Sequence, residues 1–443
     1  MYGRREQVHA HAFLVDRLVA AVLRTDPDSV DRPLRRTSVG LISGLAVAGV
    51  VIAIVLVVGL LTGRTSGKWR EPGTLVVNGD TGSRYLLIDG RLRPVLNFAS
   101  ARLLLGDGMA VAKVKSRDLA GTPQGTPIGI PGAPDALPEK SGPQPWTVCA
   151  GTKQDGSVVT LNIGDVPGAT PAGDRAVLVR AGDQPHLVWR DRRFRVADSW
   201  APRALGLDSA SAVSVTPAWL NALPAGPDLG ALRFDRGGPG PVVGGQPTTV
   251  GQLVQVPDAV GDIAYVVTRD GLVPVTATVS ALVAANPAAQ DARPLEITPA
   301  QLAGQQVLPP PPWQAELPSS PPTSLDTKEN APCVRWQDDR AALFTAPLPS
   351  GPARGADPAG VTRDDRVADR IEIALGAGLL VRTRPAPGVA GEGIYLVTES
   401  GAKFPVANPD SATALGLSLD SAQPVPADLL ALLPTGPVLN RIT

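Results

Sequence analysis

The stretch VGLISGLAVAGVVIAIVLVVGLL (Val39–Leu61) contains 23 residues without a charge, and it divides the chain into a short arm and a long body. As a helix it would be about 34 Å long, enough to cross a hydrocarbon core of about 30 Å. A cleaved signal peptide would have a shorter apolar region near the N-terminus, whereas 38 residues precede this one and no A-x-A site follows it. A core helix would show one polar side. We therefore predict a retained transmembrane helix over residues 39–61.

The basic residues around this span predict its orientation. Seven precede it and three follow it: Arg4, Arg5, Arg17, Arg24, Arg32, Arg35, Arg36, and then Arg64, Lys68, Arg70. The cluster of Arg32, Arg35 and Arg36 flanks the span most closely. The positive-inside rule places such a short Arg-rich segment in the cytoplasm. We expect a single-pass protein of the cell (inner) membrane, with about 380 residues on the extracytoplasmic, periplasmic side.

The arm, residues 1–38, contains an amphipathic helix pattern over residues 5–24. Its apolar stripe recurs at three- and four-residue spacing and consists of Val8, Ala12, Val15, Leu18, Val19 and Val22. Pro27 ends the pattern because proline cannot continue a helix. The helix could lie on the inner leaflet or dock on a partner protein. Its few basic residues favour docking.

Four related hairpins follow in the exported body. They are YLLIDGRLRPV (85–95), HLVWRDRRFRV (186–196), YVVTRDGLVPV (265–275) and YLVTESGAKFPV (395–406). Asp-Gly and Ser-Gly pairs form the predicted turns of three copies, since glycine accepts the positive φ that tight hairpins need. The second copy, with Asp191-Arg192 at its turn, is the weakest hairpin.

Each copy ends in a short helix signal, and these segments are 114–119, 215–220, 297–302 and 425–430. Thr216-Pro217 and Thr298-Pro299 place a capping hydroxyl before proline at the first helical position. Residues 204–227 align without gaps onto 414–437, with 12 identities in 24. The chain therefore contains a true internal repeat. The repeat tyrosines are interpreted as packing positions in preference to an aromatic ligand box.

Copies one and two flank one insertion, and copies three and four flank another. This predicts an α+β fold with an elongated, pseudo-twofold body, in which a mostly β central domain is flanked by four small β-hairpin/helix repeats. The predicted ranges after the span are 74–120 (repeat 1), 121–185 (first segment of the central domain), 186–230 (repeat 2), 260–302 (repeat 3), 303–394 (second segment of the central domain) and 395–439 (repeat 4). Pro-rich stretches at 121–145 and 308–324 are interpreted as extended wrapping segments.

Each insertion carries one cysteine, Cys149 and Cys333, and the chain has no others. An exported domain lies in an oxidising space where disulfides persist. If both insertions build one domain, the two cysteines can form a bridge, which would contribute about 5 kcal/mol in the chain-entropy model. The alternative is two unrelated thiols; the even count favours the bridge.

Composition and motifs exclude several kinds of chemistry. The formal net charge is zero without a basic patch, so nucleic acid is not expected as a partner. The segment GRTSGKW (63–69) has too few residues between its glycines for a phosphate loop, and Trp69 stands where Ser or Thr should be. His186 is the one histidine outside the arm, which leaves little material for a catalytic triad. We expect no metal and no catalytic residues.

Several strings together resemble the EccB component of the actinobacterial type VII (ESX) secretion membrane complex. They are the arm EQVHAHAFLVDRLVAAVLRTDPD (6–28), TGSRYLLIDGRLRPVLNFASARLLLG (81–106), and GTPIGIPGAPDALP (125–138) followed by WTVC (146–149). The resemblance covers nearly the whole chain. It implies a periplasmic body with a disulfide-tied central domain and four repeats.

The resemblance also implies a function. The chain would be a bitopic assembly subunit that docks cytoplasmic partners by its arm, oligomerises through its periplasmic body and meets other membrane components, including an FtsK/SpoIIIE-type ATPase. Two alternatives stand beside it: an ATP-hydrolysing component, as the family is often described, and a peptidoglycan-binding anchor. No cofactor is expected; ATP enters only through the family's description, because no Walker A motif is present.

Overall fold

The computed structural model describes residues 3–24, 33–61, 67–138, 140–153, 156–230, 236–257, 263–287, 293–347, 357, 359–384, 391 and 393–441. The helices in these ranges are α1 (Arg4–Arg24), α2 (Pro33–Leu61), α3 (Phe98–Leu105), α4 (Ser116–Leu119), α5 (Ala201–Ala204), α6 (Pro217–Asn221), α7 (Ala277–Ala285), α8 (Pro299–Leu302), α9 (Pro409–Ala414) and α10 (Ala427–Leu430).

The strands of the first half are β1 (Thr74–Asn78), β2 (Arg84–Ile88), β3 (Arg91–Pro94), β4 (Ala110–Val114), β5 (Lys140–Ser141), β6 (Trp146–Lys153), β7 (Gly156–Ile163), β8 (Thr170–Pro171), β9 (Ala176–Ala181), β10 (Gln184–Trp189), β11 (Arg192–Arg195) and β12 (Val213–Ser214). Those of the second half are β13 (Leu253–Val256), β14 (Ile263–Val267), β15 (Leu272–Val275), β16 (Leu295–Glu296), β17 (Ala331–Gln337), β18 (Arg340–Ala346), β19 (Arg370–Ile373), β20 (Ala377–Arg384), β21 (Ile394–Thr398), β22 (Lys403–Pro405) and β23 (Gln423–Pro426).

The chain forms two compact units. One comprises Met1–Glu71 and Ala112–Val114, and the other comprises Pro72–Val111 and Lys115–Thr443. The first unit contains α1 and α2. The second unit contains the central sheet and the repeat sheets, except for residues 112–114 of β4.

Four sheets share one topology. Their strand orders are β3-β2-β1-β4, β11-β10-β9-β12, β15-β14-β13-β16 and β22-β21-β20-β23. In the second, third and fourth of these sheets, the first three strands along the chain are paired antiparallel in succession. The fourth strand then pairs in parallel with the strand that comes first in the chain. In each repeat, one helix precedes the fourth strand and another helix follows it. Each repeat is therefore a β-β-β-α-β-α module.

The hairpins and closing helices lie where the sequence patterns predicted them. Thr216 and Thr298 are N-caps whose side chains accept hydrogen bonds from the Trp219 and Gln301 amides, and Gln301 completes a capping box. The turn of the second hairpin was predicted wrongly. Trp189 pairs with Arg192, so the turn is Arg190-Asp191 and not Asp191-Arg192.

The sheets also extend beyond the predicted units. Their first strands β9, β13 and β20 lie outside the ranges 186–230, 260–302 and 395–439. Each of these strands has a buried apolar run, AVLV in β9 and GLLV in β20 for example, so they lack the alternation that marks a half-exposed strand.

The central sheet joins the two insertions. Its order is β19-β7-β6-β17-β18-β8, with β6, β7 and β8 from the first insertion and β17, β18 and β19 from the second. Strands β6 and β17 are antiparallel, with Cys149 opposite Cys333 and Val148 opposite Val334. Cys149 and Cys333 form a disulfide between residues 184 apart in sequence. The bridge therefore links the two insertions through neighbouring strands.

The repeats bury their apolar faces against one another. Repeats 2 and 3 share a core in which α5 meets α7, and repeats 1 and 4 share one in which α3 meets α9. The largest core combines the central sheet with repeats 2 and 4. Trp219 on α6 lies in it, fully buried, and its Nε1 donates to the Val148 carbonyl of β6 at 3.0 Å.

The Pro-rich stretches pack across these pairs. Ala133 and Leu137, which follow repeat 1, pack on the core that repeats 1 and 4 share. Trp313 and Leu317, which follow repeat 3, pack on the core that repeats 2 and 3 share. Each stretch thus covers a core built from a repeat of each half.

Removing the bridge should destabilise the body without changing its fold. We expect the full chain with Cys149→Ala and Cys333→Ala to lose about 2–5 kcal/mol of unfolding free energy, because the unfolded chain regains the freedom of a loop of 184 residues. Denaturant unfolding in detergent, followed by circular dichroism, measures the loss. A reductant should lower the wild-type midpoint to the same value and leave the double variant unchanged. Equal midpoints for oxidised wild type and double variant would contradict the structural role of the bridge.

Candidate membrane anchor and docking helix

Helix α2 is the candidate membrane anchor. It extends from Pro33 to Leu61, with proline at a helix start, where its missing amide hydrogen costs nothing. Within it, Val39–Val57 is long and apolar enough to span a membrane, and none of this segment is buried inside the protein. Leu41, Ile52 and Leu56 are examples of its exposed side chains. An apolar helix exposed on all sides needs a non-aqueous environment.

The structure describes the flanking arginines incompletely. Arg32 lies outside the described residues. Arg35 and Arg36 fall within α2, but their side chains lie outside what the structure describes. The basic flank therefore remains a sequence-based prediction.

Helix α1 carries the predicted docking stripe. Of the stripe residues, Val8, Ala12, Val15, Leu18 and Val22 are exposed, and Val19 is half-buried. Leu14, which the pattern did not include, extends the edge of the stripe and is also exposed. Exposed Phe13 lies on the other side, with the Arg17 guanidinium 5.8 Å from its ring centroid. One side of α1 thus presents contiguous apolar surface.

The sequence has acidic pairs at Asp338-Asp339 and Asp364-Asp365, and local structure explains three of these four residues. Asp338 and Asp339 both have positive φ, and they form the two-residue turn between β17 and β18. Asp364 accepts a hydrogen bond from Arg366 at 3.0 Å, which lowers the pKa of this carboxyl. Among the residues that the structure describes, no group of three His, Cys, Asp or Glu side chains could hold a metal ion.

The segment 63–69 lies mostly outside the described residues. Its described end, Lys68–Arg70, is a single 3₁₀ turn that follows Gly67. Two of the repeat tyrosines are packing residues: Tyr265 is buried in the core of repeat 3, and Tyr395 packs against the largest core. Tyr85 of repeat 1 is half-buried.

Sequence reasoning missed a half-buried cation, Lys403 on β22. Its Nζ donates to the carbonyls of Leu430 and Leu433, at 2.6 and 2.8 Å, at the end of α10. Burial lowers the Lys403 pKa to about 8; Asp364 opposes the shift and Arg366 adds to it. The equivalent positions in the hairpins of repeats 1 and 3 are Leu92 and Leu272. The lysine therefore stands out only when the hairpins are aligned by their strand pairing.

Together, the exposed apolar helix and the modular α+β body define a membrane-anchored repeat protein. The model of the family described as "Type VII secretion system ESX-1, transport TM domain B" matches residues 2–443. The chain belongs to this family, the EccB proteins of type VII secretion.

Curated relatives match over almost the full chain. The ESX-5 secretion system ATPase EccB5 of Mycobacterium tuberculosis is 28% identical over 474 residues, covering 99% of this chain and 92% of the relative. The ESX-1 secretion system ATPase EccB1 of the same species is 28% identical over 458 residues, covering 98% and 92%.

Solved structures agree. A chain of an intact ESX-5 inner membrane complex is 27% identical with a TM-score of 0.69, and the match covers 100% of this chain and 94% of that one. A chain of the EccB3 dimer from the ESX-3 core complex is 26% identical with a TM-score of 0.67, covering 83% and 98%.

The lowered Lys403 pKa predicts a pH-dependent stability. A folded pKa near 8, below the unfolded value near 10.5, means that burying the ammonium costs stability below pH 8, and the cost disappears as the pH rises towards 10.5. Wild type should therefore gain melting temperature relative to Lys403→Leu between about pH 7.0 and 9.5, measured by thermal unfolding in detergent. The exposed Lys328→Leu variant is the control and should show no such trend. A wild-type to Lys403→Leu difference that is constant with pH would contradict the buried ammonium.

Proposed function

We propose that this chain is a structural subunit of a type VII secretion membrane complex. Family membership over residues 2–443 supports this, as does the match of the whole chain to a component of an ESX-5 inner membrane complex. The observation that carries the proposal is an exposed apolar helix, the one such helix among the described residues, in a chain that also has an exposed amphipathic helix and a disulfide-bonded body. Such a chain can bind partners on both sides of one membrane.

The proposed orientation puts α1 in the cytoplasm and the body in the periplasm. Seven arginines precede the span, whereas three basic residues follow it closely. The disulfide supports the same orientation, because it needs an oxidising compartment to persist. Arm and body then have separate partners.

We assign partner docking to α1. An amphipathic helix places its apolar side in a groove of another protein through residues at three- and four-residue spacing. The stripe residues Val8, Ala12, Val15, Leu18 and Val22 have this spacing. The proposed partners are other components of the secretion complex, including an ATPase of the FtsK/SpoIIIE type.

Oligomerisation is assigned to the periplasmic body. A related chain occurs as a dimer in an ESX-3 core complex, and another was solved in a periplasmic assembly of the ESX-5 complex.

Within one chain, we infer a pseudo-twofold body, because repeat 1 packs with repeat 4 and repeat 3 packs with repeat 2.

We propose that ATP hydrolysis belongs to a partner. The relatives carry the word ATPase in their names, but in this sequence Trp69 replaces the Mg²⁺-binding hydroxyl at the nearest approach to a phosphate loop. Cell-wall binding through the repeat tyrosines is not favoured, because Tyr265 is only 8% exposed.

A matched pair of substitutions in α1 tests the docking. Val15 lies at the centre of the apolar stripe and Ala10 lies on the opposite side, and both are exposed. We expect Val15→Asp to reduce recovery of the other complex components at least tenfold in a detergent pull-down, because binding would bury an unpaired carboxylate. Ala10→Asp should leave recovery unchanged.

Membrane level and disulfide formation of both variants serve as folding controls. Equal recovery with Val15→Asp and wild type would refute docking through the stripe. Equal loss with Val15→Asp and Ala10→Asp would show that the helix itself, and not its apolar side, was perturbed.

A further inference from the structure

Repeat 2 differs from the other three repeats at one cross-strand pair. In repeats 1, 3 and 4 a tyrosine on the middle strand lies opposite a proline: Tyr85 and Pro94, Tyr265 and Pro274, Tyr395 and Pro405. In repeat 2 the pair is His186 and Arg195. Three repeats thus place an aromatic ring where repeat 2 places an imidazole and a guanidinium.

A second basic residue lies on the same side of this hairpin. Arg193 is two residues before Arg195 and opposite Val188, so all three basic side chains share one face of the sheet. Repeats 1 and 3 have leucine at this register, and repeat 4 has Lys403, whose ammonium hydrogen-bonds to the carbonyls at the end of α10. Arg193 instead donates to the Asn221 side-chain oxygen at 2.5 Å.

These residues line a pocket of about 440 Å³ between the hairpin, α6 and the segment that follows α6. His186, Arg193 and Arg195 form one wall. Apolar groups form much of the remainder: Ala181, Pro217, Leu220 and Ala225. Its volume lies within the range of pockets that hold small molecules.

The described lining of the pocket has two guanidinium groups, those of Arg193 and Arg195, and one carboxylate, that of Asp228. Arg195 forms an ion pair with Asp228, donating from Nε at 3.1 Å. Arg193 forms no ion pair with any residue that the structure describes, and burial lowers its pKa, an effect that Asp428 only partly offsets. Burial also lowers the pKa of His186, and the charges of Arg193 and Arg195 lower it further, which favours the neutral imidazole. A half-buried guanidinium that forms no ion pair with a described carboxylate favours an anionic partner.

We propose that this pocket of repeat 2 binds a small organic carboxylate. The planar fork of Arg193 matches the two oxygens of a carboxylate, and one negative charge balances the net charge of the pocket. The apolar wall provides a surface for an aliphatic substituent. Inorganic phosphate, with up to two negative charges and no apolar group, fits this combination less well.

Calorimetric titration of the full chain in detergent tests the site, with N-acetylalanine as the probe at neutral pH. We expect saturable binding that Arg193→Leu weakens about tenfold or more, since hydrogen bonds to charged groups contribute about 1.5–3 kcal/mol. Leucine is the residue that repeats 1 and 3 carry at this register. The control is Arg180→Leu, an exposed arginine of β9 beside Ala181 that points to the other face of the sheet. It should leave the affinity unchanged.

Two comparisons need no variant. The uncharged N-acetylalanine methylamide should not compete, and phosphate should bind more weakly than N-acetylalanine. No saturable binding of N-acetylalanine to the folded wild type, or equal weakening by Arg180→Leu and Arg193→Leu, would overturn the proposal. Tighter binding of phosphate would overturn the assignment to carboxylates.

Discussion

The second unit depends on the antiparallel pairing of β6 with β17, fixed by the bridge between Cys149 and Cys333. The two strands come from different insertions, and their cysteines are 184 residues apart in sequence. Their pairing therefore joins strands from both halves of the chain in one sheet. Repeats 2 and 4 then pack on that sheet, through α6 and α10. The hydrogen bond from Trp219 to the Val148 carbonyl joins a repeat helix directly to the bridged strand.

The size of a single repeat explains why the repeats pair. Four short strands and two short helices cannot bury enough apolar surface to fold alone. Sharing faces solves the problem, and each Pro-rich stretch adds cover across a shared core, as Trp313 does for repeats 2 and 3. The same packing explains the repeat tyrosines: Tyr265 contributes its ring to a core, where it stabilises the module and is unavailable to a ligand.

Local signals in the sequence predicted the hairpins, the caps at Thr216 and Thr298, the apolar helix and the partner of Cys149. Each depends on neighbouring residues or on a count of two cysteines. The strands β9 and β20 were missed because their buried apolar runs, AVLV and GLLV, have no alternation. The turn at Arg190 was misplaced because an arginine at positive φ carries no turn signal; in the structure its guanidinium lies 4.3 Å from the Trp189 ring centroid. The basic pocket was missed because His186, Arg193 and Asn221 meet only once the register is known.

We propose that the chain serves as an anchored subunit of a larger membrane assembly. The most direct measurement is the mass of the complex recovered from native membranes through a tag on this chain, determined by mass photometry in detergent. The account predicts a large particle that contains several copies of this chain together with other membrane proteins. A particle that corresponds to one 45.7 kDa chain in its detergent micelle would contradict it.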